Sequence, residues 1–481
     1  MPDAESTPPT PRTPTLSHAL IPIVALIAIL AVNIFSFKTE YQHVPLVLAA
    51  AVAAFVGWRL GNSWKDMEKG AIDSIMIGMK AVLILMVVGM LIGTWIAAGI
   101  VPLLIDWGLK ILNPSYFLVA CCLICVVVSL ATGSSWTTAG TVGVALIGVG
   151  TALQVPLPMC AGAIVSGAYF GDKMSPLSDT TNLAPAVAGS ELFEHIRHLV
   201  YTTVPALIIA LVIYSILGAK SEATASADSI AAFSSVLAEN FNLNPLLVLA
   251  PVLVFAMVMM RIPALPALLA GAVVGGLFAA VVQNVPVSDV FLVSLDGFTS
   301  ETGNESVDSL LSRGGMFGMM STVSLILCAL AFGGIMERTK MLETIAKSIM
   351  RLANTTGSLI ASTVGTCIGV NCLAPEQYLS IVLPGRMYTG AYAKAGLHPK
   401  NLSRTLEDAG TMTSPLIPWN ACGGYMFGAL AVSPFAFAPY AFVNLLSPLI
   451  AIILGYTGCS IVKTASDSPP DPPDRAESCN A

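Results

Sequence analysis

The stretch GAIVSGAYFGDKMSPLSDTTNLAP, residues 162–185, decides the architecture of this chain. It opens as an apolar helix of small residues, then packs Asp172, Lys173, Ser175, Pro176, Ser178, Asp179, Thr180, Thr181 and Asn182 into eleven positions. Proline has no amide donor and its ring clashes with the preceding turn, so the helix breaks at Pro176. In lipid an unpaired backbone group costs several kcal/mol, so such a break belongs in a protein-lined cavity.

The rest of the chain says that the setting is a bilayer. Of 481 residues, 22 are Lys or Arg and 28 are Asp or Glu, only 10 % charged, against roughly 25 % in an ordinary soluble domain. Hydrophobic residues make up 55 %, and the mean hydropathy is +0.80. A soluble globule could not cover its surface with so few charges, which excludes a soluble enzyme, a nucleic-acid binder and a disordered chain. The net charge of -6 sits mostly in tails and loops and says little about partners. Apolar runs are expected as spans near 18–37, 43–58, 81–100, 116–131, 155–170, 198–218, 245–260, 264–284, 316–337, 357–373 and 434–460. Stretches near 132–152, 374–392 and 405–430 are apolar but interrupted by Gly, Pro, Ser and Thr. The expected fold class is an all-α polytopic membrane protein with broken helices, re-entrant hairpins and about 11–14 membrane segments.

Two halves resemble each other. A shift of 239 places Ser175-Pro176-Leu177 on Ser414-Pro415-Leu416, Gly133–Trp136 on Cys372–Pro375, Leu91 on Leu330 and Leu103 on Leu342. Lys and Arg concentrate on the cytoplasmic side of a membrane protein. Residues 59–80 have four (Arg59, Lys65, Lys69, Lys80), and their counterparts at 298–319 have one (Arg313). At 99–115 there is one (Lys110), but at 338–354 there are four (Arg338, Lys340, Lys347, Arg351). Each matched stretch swaps its bias, as two repeats inserted in opposite directions require. The expected organisation is a tail at 1–17, a first repeat at 18–218, an extracytoplasmic linker at 219–243, a second repeat at 244–461 and a tail at 462–481. Both termini are expected in the cytoplasm and the chain in the inner (plasma) membrane. Inverted repeats with broken helices mark secondary transporters.

The chemistry follows the breaks. A dehydrated Na⁺ takes about five or six oxygen ligands, which hydroxyls, carboxylates and freed carbonyls supply. The first break offers Asp172, Ser175, Ser178, Asp179, Thr180, Thr181 and Asn182, with Na⁺ expected near Asp179. Lys173 is expected to pair with its neighbour Asp172. The matching break, SRTLEDAGTMTSPLIPWNACGGYM at 403–426, offers Glu407, Asp408, Thr411, Thr413, Ser414 and Asn420. Its adjacent acids either repel and make a proton carrier or cap a helix and pair with Arg404. The re-entrant candidates, ATGSSWTTAGTVG at 131–143 and GVNCLAPEQYLSIVLPG at 369–385, add Ser134, Ser135, Thr137, Thr138, Asn371, Glu376 and Gln377. An ionisable residue at membrane depth is functional by default, so Glu376 is a proton-route candidate. Asp73 and Asp106 read as interfacial, beside Lys80 and Lys110. None of the five His lies mid-span, and none is assigned a role. The clustered Cys behave as small hydrophobes, and Gly271 and Gly275 fit close helix packing.

At these residues the sequence resembles the NhaC family of Na⁺/H⁺ antiporters. SGAYFGDKMSPLSDTTNLA (166–184), LSRTLEDAGTMTSPLIPWNACG (402–423) and SSWTTAGTVGVALIG (134–148) are similar to that family's characteristic stretches. The resemblance covers roughly residues 20–460. It implies exchange of Na⁺ for H⁺ with no cofactor, Na⁺ being the transported ion. It also leaves open a Na⁺- or H⁺-coupled exchanger of organic anions, such as malate and lactate, or of amino acids. The expected partners are Na⁺, H⁺, the alternative small solute, the lipid bilayer and a second copy of the chain, with no nucleic acid. An intramembrane protease is excluded: HExxH is absent, and Gly167-Ala168-Tyr169-Phe170-Gly171-Asp172 lacks the first Gly of GxGD. The chain is expected not to be an enzyme.

Overall fold

The computed structural model describes residues 11–39, 41–220 and 227–464. The described residues are overwhelmingly helical, with only two isolated β-bridges, Phe298–Arg313 and Leu397–Lys463. Six helices are long and apolar enough to cross a membrane alone: Trp64–Ala97, Pro114–Thr132, Leu192–Ala219, Ala264–Val282, Phe317–Arg338 and Thr356–Leu373. Two further pairs pass only as bent units, Ser229–Asn240 with Pro245–Met259 at 94° and Ala421–Leu430 with Pro434–Tyr440 at 91°. Shorter apolar helices run at Leu16–Ala31, His43–Arg59 and Phe442–Thr457. The chain is a polytopic, multi-pass membrane protein with broken helices.

Trp64–Ala97 differs from expectation. Residues 59–80 read as a charged loop, but from Trp64 onward they are the first half of a 34-residue helix. At 1.5 Å per residue that helix is about 51 Å long, well beyond a hydrocarbon layer of about 30 Å. Lys65, Glu68, Lys69 and Lys80 end the apolar run without ending the helix, because straight-chain charged residues are good helix formers. It packs against Met320–Arg338 and Ala264–Val282. Gly271 and Gly275 allow the second approach: the Trp95 indole sits against both, and its N–H donates to the Gly271 carbonyl at 3.0 Å.

Four helix interruptions meet in the middle of the molecule. Pro114–Thr132 stops at Gly133, and Ser134 caps the helix that restarts at Ser135. Leu157–Met174 stops at Ser175, and Ser178 caps Asp179–Ala188. Thr356–Leu373 stops before Pro375, and Glu376 caps Gln377–Lys394. Pro399–Leu406 runs into a π-helical turn, Glu407–Thr411, then a 3-10 turn at Ser414–Leu416, and Asn420 caps Ala421–Leu430. Both Ser-Pro-Leu copies therefore break their helices. Within each half the two breaks touch. Gly133, at φ +65°, presses on Leu177 and Ser178 so closely that a Cβ would fall 2.7 Å from the Leu177 side chain and 2.9 Å from the Ser178 nitrogen. In the other half the Ala421 N–H donates to the Pro375 carbonyl at 3.0 Å, and the Trp419 indole to the Cys372 carbonyl at 2.8 Å.

The expected linker at 219–243 carries a helix, Ala227–Asn240, docked on Ile100–Ile111. Ser234 donates there to Asp106 at 2.5 Å, and Asp106 also pairs with Lys110 at 2.6 Å. Most of the two tails lies outside the described residues; Arg12 is tied back by a 2.8 Å backbone bond to Leu60.

Candidate functional site

The breaks surround a cavity of about 780 Å³. Of the residues expected at the site, Ser134, Ser135, Thr137, Asp172, Ser178, Asp179, Thr180, Asn182, Glu376 and Gln377 line it. Lys80, Arg261, Trp136 and Tyr378 also line it. Among the helix N-termini facing this space, that of Ala264–Val282 has no side-chain cap, whereas three others are held by side chains of the protein. Asp172 Oδ2 accepts from the Ser135 N–H at 3.0 Å and its hydroxyl at 2.7 Å. Glu376 Oε2 accepts from the Tyr378 and Leu379 N–H groups at 2.7 and 3.2 Å. Asn420 Oδ1 accepts from the Cys422 N–H at 3.0 Å. Free N–H groups at a helix start attract anions, and at these three they are taken.

The two aspartates of the first break differ. Asp179 is 64 % exposed at its side chain, bonded to Lys80 Nζ at 3.0 Å and to the Tyr378 hydroxyl at 3.1 Å. Asp172, one helix turn before the break, is buried at 7 % exposure. Asp172 is not the partner of Lys173, contrary to expectation. Successive residues on a helix point about 100° apart, and Lys173 turns the other way, into the second half. It forms a fully buried ion pair with Asp408 and donates to Ser447 Oγ at 2.7 Å. Ser447 in turn donates to Asp408 Oδ1 at 2.8 Å. Beside it, Glu407 accepts from the Thr180 hydroxyl at 2.9 Å. Thr180 also lines the cavity, so it joins the aqueous space to the buried acids.

Arg404 does not pair with either acid. It is fully buried and donates to the Ser460 carbonyl at 3.1 Å. Glu407 and Asp408 point at different partners, Thr180 and Lys173, and the expected pairing with Arg404 is replaced by these contacts. Lys80 likewise pairs with Asp179 and not with Asp73.

Much of the remaining hydroxyl and amide set wraps the broken backbone. Freed carbonyls must find donors, and the second break accounts for them in order. Thr413 Oγ1 donates to Ala409 O at 2.6 Å, Asn371 Nδ2 to Gly410 O at 2.7 Å, Ser414 Oγ to Thr411 O at 2.8 Å and Asn444 Nδ2 to Met412 O at 2.9 Å. Asn420 Nδ2 adds bonds to Asn371 O and Oδ1 at 3.1 and 3.2 Å. In the first half Thr181 donates to the Asp172 and Lys173 carbonyls, Asn182 to those of Pro176 and Ser178, and Thr138 to that of Ser134. Ser175 Oγ accepts from the Leu177 N–H at 3.3 Å. Gln377 Oε1 accepts from the Cys422 thiol at 2.6 Å. Thr411 Oγ1, by contrast, is buried and reaches no hydrogen-bond partner among the described residues.

Sequence reasoning missed Ser447 and Asn444. They stand three apart in FVNLLSPLI, on one face of the last apolar helix, and that spacing was a readable signal. It also missed the contact between Trp136 and Tyr425, whose rings stack at 4.2 Å while the Tyr425 hydroxyl donates to the Trp136 carbonyl at 2.6 Å. Nothing local in either segment points to the other.

A family model described as the Na⁺/H⁺ antiporter family matches residues 167–459, which include both Ser-Pro-Leu breaks. The Na⁺/H⁺ antiporter NhaC of Alkalihalophilus pseudofirmus is 44 % identical over 94 % of this chain and 98 % of its own length. A malate-2H⁺/Na⁺-lactate antiporter of Bacillus subtilis is 36 % identical, covering 95 % and 98 %. The arginine/ornithine antiporter ArcD of Halobacterium salinarum is 36 % identical, covering 97 % of each. These relatives are transporters, not enzymes. The chain belongs to the Na⁺/H⁺ antiporter family.

Proposed function

We propose that this antiporter exchanges Na⁺ for H⁺ and that the two ions compete to neutralise an excess of buried acid. One observation carries the reading. Asp172, Glu376, Glu407 and Asp408 are all buried at the breaks, whereas the buried cations there are Lys173 and Arg404. A carboxylate away from water must be paired, protonated or metal-bound. Only Asp408 has a basic partner; the other three acids lack one, and a bound Na⁺ or a proton satisfies the same need. Na⁺ enters the cavity toward Asp172 and Glu376. Thr180 couples that occupancy to Glu407 and, beyond it, to the Lys173–Asp408 pair. No cofactor enters this cycle.

The second reading, favoured by cavity size, is an organic cation. About 780 Å³ is far more than a dehydrated Na⁺ fills, and Trp136 offers the cavity a ring. For an organic anion the cavity offers Arg261 and Lys80, the latter already bonded to Asp179, while Lys173 is engaged elsewhere and three helix N-termini are held by the protein's own side chains.

In this reading residues 18–218 and 244–461 are inverted repeats that rock about the breaks to give alternating access. The 219–243 segment lies outside, and both tails (1–17 and 462–481) lie on the cytoplasmic side of the inner membrane. The test uses purified protein in proteoliposomes with an internal pH dye. Na⁺ alone should drive proton movement, with no organic solute present. Proton movement that appears only with arginine, ornithine, malate or lactate would overturn the Na⁺/H⁺ reading.

A further inference from the structure

We propose that His195 relays protons between the buried acids Glu407 and Asp408 and the aqueous surface, by a route that bypasses the cavity. The inference rests on the Na⁺/H⁺ reading above and adds to it a residue that the site as described does not use.

The helix Leu192–Lys220 turns a polar stripe inward. His195, His198, Thr202 and Thr203 follow at helical spacing and are all buried. The helix lies against Pro399–Leu406, the π-helical turn Glu407–Thr411 and Phe442–Thr457, the elements that hold Asp408 and Ser447. At the outer end of the stripe, His195 Nδ1 shares a 2.9 Å hydrogen bond with Ser403 Oγ. Ser403 Oγ accepts from Ser190 Oγ at 3.0 Å, and Ser190 is only half-buried. A continuous chain of protic groups therefore runs from His195 toward solvent. His195 does not line the cavity.

At the inner end, polar atoms on both sides of this seam reach no hydrogen-bond partner among the described residues. They are His195 Nε2, His198 Nε2, Arg404 Nε and Nη2, and Asp408 Oδ2. Lys173 acts electrostatically on His195, and Arg404 on His198, so the two histidines face the same charged cluster. Protein interiors satisfy nearly all such groups. A concentration of unsatisfied donors and acceptors on facing elements is the setting that holds internal water, which takes two to four polar partners.

Imidazole suits a relay because it takes a proton on one nitrogen as it releases one from the other. A proton leaving Asp408 Oδ2 passes through water to His195 Nε2. The Nδ1 proton moves to Ser403 Oγ. The Ser403 hydroxyl, which otherwise donates to the Lys400 carbonyl at 3.2 Å, turns and passes its proton to Ser190, and Ser190 passes its own to bulk water. One proton enters at Nε2 and one leaves from Nδ1, which leaves the Nε2–H tautomer; proton exchange with water, giving up the Nε2 proton and taking one at Nδ1, returns the ring to the starting tautomer. The same steps run backward when protons move inward.

The experiment compares two modes of exchange in proteoliposomes: Na⁺-driven proton movement, and ²²Na⁺/Na⁺ exchange, which moves no net proton. Wild-type proton flux with Na⁺ alone is measured first, and its absence would refute the Na⁺/H⁺ reading itself. In His195→Gln the proton-coupled mode should fall by about tenfold or more, while ²²Na⁺/Na⁺ exchange stays near the wild-type rate. Ser403→Ala should show the same split with a smaller loss. Unchanged proton flux in either variant, or a parallel loss of both modes, would overturn the relay.

Discussion

Replacing Lys173 by Met tests whether the two halves are held together by charge at their centre. Lys173 and Asp408 are both fully buried, and Ser447 bonds each of them, at 2.7 and 2.8 Å. Removing one partner of such a pair leaves a charge with neither water nor counter-ion. That costs about 3–5 kcal/mol, whereas replacing both partners is close to neutral. Against a total stability of roughly 5–15 kcal/mol, Lys173→Met alone should unfold the protein at a markedly lower temperature. Asp408→Asn removes the opposite charge while its amide oxygen still accepts from Ser447. The double variant Lys173→Met/Asp408→Asn should therefore recover most of the loss. The assay is thermal unfolding of purified protein in detergent for the wild type, both single variants and the double. A double variant no more stable than Lys173→Met, or a Lys173→Met protein melting with the wild type, would refute the reasoning.

Other outcomes follow from the same geometry. Asp172→Asn keeps an acceptor for Ser135 but loses the buried charge, so Na⁺-driven proton flux in proteoliposomes should be abolished. Asp179→Asn, at an exposed rim paired with Lys80, should only weaken Na⁺ dependence, and the reverse ranking would contradict the assignment. For the orientation, Cys459 and Cys479 are first replaced by Ser. Ser229→Cys should then react with an impermeant thiol reagent added outside intact cells, and Lys347→Cys should not. Asp308, in the first turn of the helix Glu305–Leu311, accepts from the preceding loop: from Ser300, from the Thr302 amide and hydroxyl, and from the Gly303 amide, at 2.7–3.1 Å. Those hydrogen bonds hold its carboxyl below the usual carboxylate range. A depressed folded value means that the loop's order is fully supported above about pH 4 and is lost as the pH falls through the lowered value. Hydrogen exchange at Thr302 and Gly303 should accelerate only in that acid range, and Asp308→Asn should accelerate it at neutral pH.

Composition and local pattern by themselves determined the membrane setting, the helical class and the positions of the breaks. Each of these depends on few neighbours: a 10 % charge content, apolar runs, and a proline or glycine that cannot continue a helix. The oxygen-rich segments were legible for the same reason, and Asp172, Thr180 and Glu376 do line the cavity. Partner choice was not legible. Lys173 reads as the neighbour of Asp172, yet its partner lies 235 positions away. Thr413 and Ser414 read as ion ligands, yet they also serve the carbonyls that their own break exposes. Residues 64–80 read as a loop because hydropathy ends where charge begins, although a helix can continue past the bilayer surface. His195 had no sequence signal, since it lies in the first turn of a span and becomes buried only when the second half covers it. The tertiary structure alone decided which carboxylates lose water and which cation each meets, because burial and pairing depend on how the two halves close on each other across the breaks.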